Sequence, residues 1–330
     1  MATIQDIAER ANVSKATVSR VINKTTPVAG RTRDAVVAAM KDLKFQPNMM
    51  ARSLAGGRSM TVGIVTQKIG SPFYDTIAQG VISGLSNTGY SPILVDGQWE
   101  SSTSSEVIVT LLGRNVDGLI LIGGELPATD LQELDDRLPT VLVARELKDW
   151  NGPCVNVDNE SAGYRATRHL IQLGHRSIAL IRGIEGHPDA VARANGYRRA
   201  LDEANIPIDE DLTISGDFSA QSGILGIDFL LNKGIRFTGV FAANDMAAFG
   251  ARLALHRNGL RVPEDVSVVG FDDQAESAFM TPPLTTMRQP ATEMGKHSAE
   301  ILIAALNGRK VPKQHLEIQL VSRESVARMT

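Results

Sequence analysis

The chain has 330 residues, of which 43% are hydrophobic and 22% are charged, and its formal net charge is −3. This length suits two or three domains, and this composition excludes a fibrous or disordered protein. No run of 18 apolar residues occurs and no apolar signal segment follows Met1, so we expect a cytoplasmic protein with no membrane partner.

The charge is divided unevenly along the chain. Residues 1–60 carry ten Lys and Arg against four Asp and Glu, a net charge of +6, and the remaining residues carry −9. A basic first segment favours contact with a polyanion, although a solvated charged face is an alternative explanation. The single cysteine, Cys154, rules out an internal disulfide, and its apolar setting indicates a core position.

The first segment begins with a helix–turn–helix pattern. Thr3 is a predicted cap, and one buried helical face is indicated by the spacing of Ile4, Ile7, Ala8 and Ala11. The letters ANV then form a turn in which Val13 fills the angle between two helices. We therefore expect a short helix that packs one face against its successor.

The second predicted helix has a narrow apolar stripe and a broad polar face. Ser14 is its predicted cap, and the stripe consists of Val18, Val21 and Ile22. A helix of this kind fits the major groove of DNA, where Arg20 can bond a guanine and Ala16 can meet a thymine methyl. The exposed residues of this face are Lys15, Ala16, Thr17, Ser19, Arg20 and Asn23, of which Thr17, Ser19 and Asn23 suit phosphate contacts.

A third helix and a short connecting segment complete the first 59 residues. The third helix buries Val36, Met40 and Leu43, and Thr32 can contact phosphate. The segment PNMMARSLAGG predicts a helix of about two turns with Asn48 as its cap. A helix this short is only marginally stable on its own. The Leu54 side chain suits insertion as a wedge into a DNA minor groove. The alternative is that Leu54 packs against the neighbouring domain.

From Thr61 onward, apolar runs alternate with helical patterns. The predicted strands are TVGIVTQ, SPILVDG, VDGLILIGG, PTVLVAR, CVNVDN, SIALIRG, TISGDF, GVFAAND and VSVVGFDD. Short apolar strands separated by helices predict parallel sheets wrapped by helices. Because so many strands exceed one comfortable sheet, we expect an α/β body of two doubly wound halves.

Ligands of such folds bind beyond the carboxyl ends of the strands, so polar and aromatic residues at those ends are the candidates. They are Ser71, Phe73, Tyr74, Arg145, Arg193, Phe218, Asn244, Asp245, Asp272 and Gln289. Carboxylates, amides and guanidinium groups can hold hydroxyls, and an aromatic ring can stack on a sugar. For Asp245, capping of the following helix is the favoured interpretation.

The segments TIQDIAERANVSKATVSRVIN, FQPNMMARSLAGG and VSVVGFDD together resemble the LacI/GalR family of bacterial transcriptional repressors, in the right order and over essentially the whole chain. The resemblance implies a homodimer on a palindromic double-stranded DNA operator and a two-lobed core like that of periplasmic binding proteins. It assigns base reading to Lys15, Ala16 and Arg20, and a minor-groove lever to Leu54. Residues 48–55 match its hinge helix, which orders on the operator.

The resemblance also carries effector contacts onto Arg193, Asn244, Asp272, Phe218 and Gln289, and more weakly onto Arg145 and Phe73. Where the purine-responsive member of the family has an Arg and a Thr, this chain has His187 and Asp189. This difference disfavours a purine, and Asp189 suits a sugar hydroxyl. The sequence therefore predicts a sugar-responsive repressor, with a purine- or nucleoside-responsive repressor and a sugar-transport receptor as alternatives.

The predicted domains are residues 1–46, a hinge segment at 47–59 and a core at 60–330. The core is expected to have two lobes, one formed by residues of about 60–158 plus 290–320 and the other by residues 159–289 plus 321–330. No enzyme motif is found, so neither catalysis nor a cofactor is expected, and the six histidines show no metal-ligand pairing. His169 and His175 are expected at the surface or as capping groups.

Overall fold

The computed structural model describes residues 2–23, 26–45, 58–98, 101–145, 147, 149–309 and 311–329. The chain divides into two compact units, Met1–Met60 and Thr61–Thr330. The expected hinge segment lies largely outside the described residues, and so do Asn48 and Leu54. In the described part of the chain, every helix is too short or too polar to cross a membrane.

The first unit contains helices α1 (Ile4–Arg10), α2 (Lys15–Asn23) and α3 (Gly30–Asp42). Its core is formed by Ile7, Val18 and Val36, each fully buried. Ile4, predicted to share this buried face, is instead exposed, because it lies in the first turn of α1 where no other core residue covers it. The helical spacing was therefore right, but the buried face begins one turn later than predicted.

Local hydrogen bonds fix the ends of α1 and α2. Thr3 and Asp6 form a reciprocal capping box at the start of α1. Asn12 adopts a left-handed backbone with φ 52°, which this residue type tolerates, and so allows the turn. Ser14 Oγ accepts a hydrogen bond from Thr17 N at 3.2 Å and thereby caps α2.

The second unit consists of two lobes. The first lobe has a parallel sheet in the order β2–β1–β3–β4–β5–β11. Its strands are β1 (Thr61–Thr66), β2 (Ser91–Asp96), β3 (Gly118–Ile122), β4 (Thr140–Val143), β5 (Cys154–Val157) and β11 (Gln314–Leu316). Its helices are α4 (Pro72–Leu85), α5 (Ser101–Gly113), α6 (Ala128–Arg137) and α11 (Ala291–Leu306).

The second lobe repeats this plan with the sheet order β7–β6–β8–β9–β10–β12. Its strands are β6 (Ile178–Ile181), β7 (Thr213–Ile214), β8 (Gly239–Ala242), β9 (Ser267–Asp272), β10 (Thr285–Arg288) and β12 (Gln319–Val321). Its helices are α7 (Asn159–Gln172), α8 (Pro188–Glu203), α9 (Ala220–Asn232) and α10 (Asp245–Arg257), and two 3₁₀ turns span Glu210–Leu212 and Ala275–Ala278. Only the edge strand β12 pairs antiparallel among the described strands.

The chain passes between the lobes after β5, after β10 and after β11. Each predicted strand segment contains a strand, and the α/β class with two parallel-sheet lobes is confirmed. Strands β10, β11 and β12 were not predicted as strands. They are short and contain at most two apolar residues each (TTMR, QHL and QLV), so they lack the apolar run by which most of the others were recognised.

Two buried groups correct or support the sequence interpretation. His175, expected at the surface or as a cap, is buried, and its ring nitrogens lie 3.0 Å from Thr238 Oγ1 and 3.1 Å from the Ala327 carbonyl oxygen. A histidine that binds two elements distant in sequence cannot be recognised from local pattern. Cys154 is buried as expected, with Sγ 3.0 Å from the Arg145 carbonyl oxygen.

Candidate effector cleft and nucleic-acid interface

A cavity of about 390 Å³ lies where strand ends of the two lobes meet. We call it the effector cleft. Its first-lobe wall follows β1 and contains Ser71 and Phe73, and its second-lobe wall follows β6, β7, β8 and β9. The predicted residues that line it are Ser71, Phe73, Tyr74, Asp189, Arg193, Phe218, Asn244 and Asp272. Two parallel sheets thus bring residues from distant parts of the chain to one place.

Arg193 is fixed in the cleft by contacts on three sides. Its Nε donates to Asn159 Oδ1 at 2.8 Å and another guanidinium nitrogen donates to the Ala243 carbonyl oxygen at 2.6 Å. The guanidinium also lies over the ring of Phe271, 3.7 Å from its centroid. Gly163 permits this arrangement, since a Cβ there would lie 2.4 Å from the Arg193 carbonyl oxygen.

Asp272 ends β9 in a left-handed backbone with φ 113°. Gln289 Nε2 donates to its Oδ1 at 2.8 Å, and Gln274 Nε2 lies 3.5 Å from its Oδ2. Burial raises the pKa of Asp272, although Arg193 and the two glutamines act in the opposite direction. The carboxyl group therefore lies beside a cation and amide donors in a poorly solvated site.

Asp245 does not cap α10, contrary to the favoured sequence interpretation. The cap is Asn244, whose Oδ1 accepts from Ala247 N at 2.9 Å. Asp245 is fully buried and accepts hydrogen bonds from Gln274 N at 2.8 Å and from the hydroxyls of Ser277 and Thr286, each at 2.6 Å. Burial outweighs these donors, and with the neighbouring Asp272 charge it raises the Asp245 pKa.

Aromatic groups form the apolar part of the cleft. Phe218 has φ 65°, and its carbonyl oxygen accepts from Asn244 Nδ2 at 2.9 Å. The His187 ring meets the Phe218 ring edge-on at 5.5 Å, and burial lowers the His187 pKa. Phe73 lies on the other wall with its centroid 5.3 Å from that of Tyr74. The cleft therefore combines ring faces with charged and amide groups.

Two predicted effector residues lie outside this cavity lining. Gln289 lines an adjoining cavity and reaches the cleft through Asp272. Arg145 donates to the Leu126 carbonyl oxygen, and burial lowers its pKa. Asn159 and Gln274 were not predicted. Asn159 could have been found, because it lies two residues after the end of β5, and its Nδ2 also donates to Asp189 Oδ1 at 3.2 Å.

In the first unit, the polar face of α2 is largely open. Lys15, Ala16 and Arg20 are exposed, and Thr17 and Ser19 are half-buried. Thr32 lies in the first turns of α3 and is also half-buried. Asn23 ends α2, and Asn48 and Leu54 lie outside the described residues. The described residues also contain no group of three or more His, Cys, Asp or Glu side chains that could hold a metal ion.

Both units match known protein families. Residues 3–48 match bacterial regulatory proteins of the lacI family, and residues 167–326 match a periplasmic binding protein-like domain. The HTH-type transcriptional repressor PurR of Yersinia pestis (strain Pestoides F) is 35% identical over 332 residues, which cover 99% of this chain and 97% of PurR. The chain belongs to the LacI family. PurR of Salmonella newport (strain SL254) is also 35% identical, over 338 residues.

Solved structures of LacI-family regulators agree with this membership. The Lac repressor dimer bound to operator and the anti-inducer ONPF is 31% identical and superposes with a TM-score of 0.89, covering 99% of both chains. The complex of the regulator CelR with cellobiose is 34% identical, with a TM-score of 0.74 over 98% of this chain and all of CelR. The present LacI-family protein is thus a DNA-binding transcriptional repressor.

Proposed function

We propose that this LacI-family repressor binds a palindromic operator as a homodimer, and that a neutral sugar in the effector cleft changes its affinity for the operator. The observation that carries the proposal is the pairing of fixed polar groups with ring faces in one cavity between two lobes. Arg193 can donate to a sugar oxygen and Asp272 can accept from a hydroxyl. Phe218 and Phe73 offer faces to the apolar side of a sugar ring.

The DNA contact is assigned to α2. Its exposed face carries Lys15 and Arg20 and no acidic residue, and its small Ala16 permits close approach to base edges. Arg20 is proposed to read a guanine, and phosphate contacts are proposed for Thr3, Ser14, Thr17, Ser19 and Thr32. Under this proposal, the protein acts on DNA in the bacterial cytoplasm.

The proposed dimer face lies on the second lobe. Leu225 and Phe229 are exposed and four residues apart on α9, and Leu253 is exposed on α10, which packs against α9. Phe279, 85% exposed, follows the short 3₁₀ turn after β9. Large apolar side chains exposed on two helices that pack together are typical of a surface that a partner covers, and the second copy is the partner that the family suggests.

Charge in the cleft favours a sugar over a purine. Asp189, Asp217 and Asp272 line the cavity against Lys68 and Arg193. Sugar hydroxyls around a whole ring can donate to all three carboxylates, whereas a purine such as guanine has N–H donors on part of its edge and acceptors at N7 and O6, which a carboxylate cannot bind. The excess of carboxylates also disfavours a phosphorylated sugar.

A purine is the second candidate, because the PurR proteins are 35% identical to this chain over nearly its whole length. Ring faces such as that of Phe218 would suit a planar base as well as a sugar. His187 and Asp189 argue against it, because Asp189 adds an acceptor and His187 Nδ1 is already engaged as an acceptor from Asp189 N at 3.3 Å.

Titration distinguishes the two effector classes. The operator is first selected from random DNA by the full chain, and its affinity is then measured with neutral sugars and with guanine or hypoxanthine. The proposal expects a palindromic site and a change in affinity with a sugar only. A change with a purine alone would overturn the sugar assignment and leave the repressor assignment intact.

A further inference from the structure

A second cavity of about 850 Å³ adjoins the effector cleft. The linings of the two cavities share Pro72, Phe73, Asp272 and Gln274, so the cavities adjoin at these four residues. The effector cleft alone is at the small end of the range of about 300–1,000 Å³ that small-molecule pockets span. With the second cavity, the space open to an effector more than doubles.

Gln274 marks the boundary between the cavities. It is only 9% exposed and lines both of them. Its Nε2 makes only the long 3.5 Å contact with Asp272, and its Oε1 has no hydrogen-bond partner among the described residues. A buried amide oxygen without a donor is unfavourable, so a hydroxyl at this boundary would gain a ready partner.

The walls of the second cavity are polar and come from both lobes. Thr76 and Gln79 belong to α4 of the first lobe, and Arg288 and Gln289 stand at the end of β10 in the second. Six carboxylates and one guanidinium are present among the described lining residues. Those carboxylates belong to Asp75, Asp272, Asp273, Glu276, Glu293 and Glu317.

This lining selects for an uncharged polyhydroxyl group. Asp273 is already engaged, because Arg288 and Arg323 both donate to it at 2.6 Å. The remaining carboxylates would repel phosphate or a sugar acid, and together with the Gln79 and Gln289 amides they can bond hydroxyls. Phe73, which faces both cavities, is the aromatic surface that a second ring would meet.

We propose that the effector is a neutral disaccharide or a longer saccharide, with one ring in the effector cleft and the next in the second cavity. The link between the rings passes Gln274. This inference rests on the proposed sugar response and adds the size of the sugar to it. Because the second ring would touch α4 and the end of β10, the longer ligand holds both lobes and biases their arrangement more than one ring does.

Calorimetry with the full-length protein tests the number of rings. The probes are maltose, cellobiose, lactose and sucrose, their constituents glucose, galactose and fructose, and hypoxanthine and guanine. At least one disaccharide should bind about tenfold or more tightly than either of its constituents, the gain expected from one or two additional hydrogen bonds.

Variants at Gln79 locate the second ring. Gln79 is exposed on α4 and lines the second cavity only. Gln79→Ala should weaken the disaccharide by about fivefold to tenfold, and Gln79→Trp, which fills the space, by more. Gln172→Ala is the matched control, an exposed glutamine at the end of α7 that lines neither cavity. Affinity for the constituent sugar should stay within twofold in all three variants.

The outcomes separate this inference from the proposed function. A monosaccharide that binds as tightly as every disaccharide containing it would overturn the two-ring site and leave the sugar response intact. A tight disaccharide unaffected by Gln79→Trp would also overturn it, because the second ring would then lie elsewhere. If a purine binds and no sugar does, the proposed sugar response itself is overturned. The same conclusion follows if none of the nine compounds binds.

Discussion

Asp272 is the residue on which the proposed effector site depends most. Its left-handed backbone is unfavourable for a residue other than glycine, and such strain persists where the surroundings impose it. Here Gln289 binds its carboxylate and the following residue, Asp273, holds Arg288 and Arg323. The strained turn therefore presents one carboxyl group to the cleft beside Arg193.

Substitution of Asp272 should separate effector binding from DNA binding. Asp272→Asn keeps the size of the side chain but removes the charge that accepts from a hydroxyl, so sugar affinity should fall by about 1.5–3 kcal/mol. Operator affinity without sugar should be unchanged. Calorimetry and operator titration check the two expectations, with Asp202→Asn, an exposed acid on α8, as the control. Full sugar affinity in Asp272→Asn would contradict the assigned role.

Asp245 should make the stability of the second unit depend on pH. Its pKa is raised in the folded state by burial and by Asp272, so the folded protein binds a proton that the unfolded chain has already released. This group's contribution to the free energy of unfolding therefore falls as pH rises above about 4 toward neutrality. Asp245→Asn should remove that decline, so the stability of the variant relative to the wild type should increase with pH.

Urea unfolding from pH 4.5 to 8 measures this difference. Asp228→Asn, a substitution on α9 outside the buried cluster, should show no such trend. A constant difference between Asp245→Asn and wild type over the whole range would show that Asp245 has the same pKa folded and unfolded.

For individual residues, the sequence predicted which side chains lie at strand ends but not what each one contacts. Asn244 and Asp245 are adjacent, and either can cap a helix. Asp245 does not act as the cap because it binds Ser277 and Thr286, which lie more than 30 residues away in sequence. Such tertiary partners leave no local signal.

The proposed interactions with macromolecules are assigned to helices, and α2 is the element proposed to read DNA. Arg20→Ala should weaken operator binding by about 1–3 kcal/mol and leave most binding to random DNA intact, because a base contact is lost. Competition titrations with operator and random DNA measure both values. Lys41→Ala, an exposed basic residue of α3 that was not assigned to DNA, serves as control. Equal losses on both DNAs would show that Arg20 binds phosphate.

Helices α9 and α10 should hold two copies together. Leu225→Glu places a charge on the exposed apolar face, so dimers should dissociate at lower protein concentration and operator binding should weaken with them. Sedimentation equilibrium gives the dimer affinity. Val191→Glu alters an exposed apolar residue of α8 and should leave the dimer intact. A Leu225→Glu protein that dimerises like the wild type would place the interface elsewhere.

Element prediction succeeded best where apolar residues form a continuous run along the chain. Strands such as β3, GLILI, are buried at every residue and are recognisable by that run alone. Strand β10 can bury polar Thr285 and Thr286 because the Thr285 backbone N donates to Ser325 Oγ and the Thr286 hydroxyl donates to Asp245. Its strand character depends on those partners, which the sequence pattern did not reveal.

For the whole molecule, effector response requires that sugar binding favours one arrangement of the lobes. The effector cleft is lined by both lobes, and the chain passes between them after β5, β10 and β11. A ligand that binds one lobe arrangement more tightly shifts the population toward it. The sequence predicted two lobes because the predicted strands are too many for one comfortable sheet. It could not give the depth of the cleft or its second cavity, which depend on the packing of distant loops.

Reciprocal titration tests this account most directly. Operator affinity is measured with and without saturating sugar, and sugar affinity with and without saturating operator. If the cleft controls DNA binding, sugar must change operator affinity, and operator must change sugar affinity by the same factor, typically about 5- to 150-fold. A sugar that binds the cleft tightly while operator affinity stays the same would contradict the central claim.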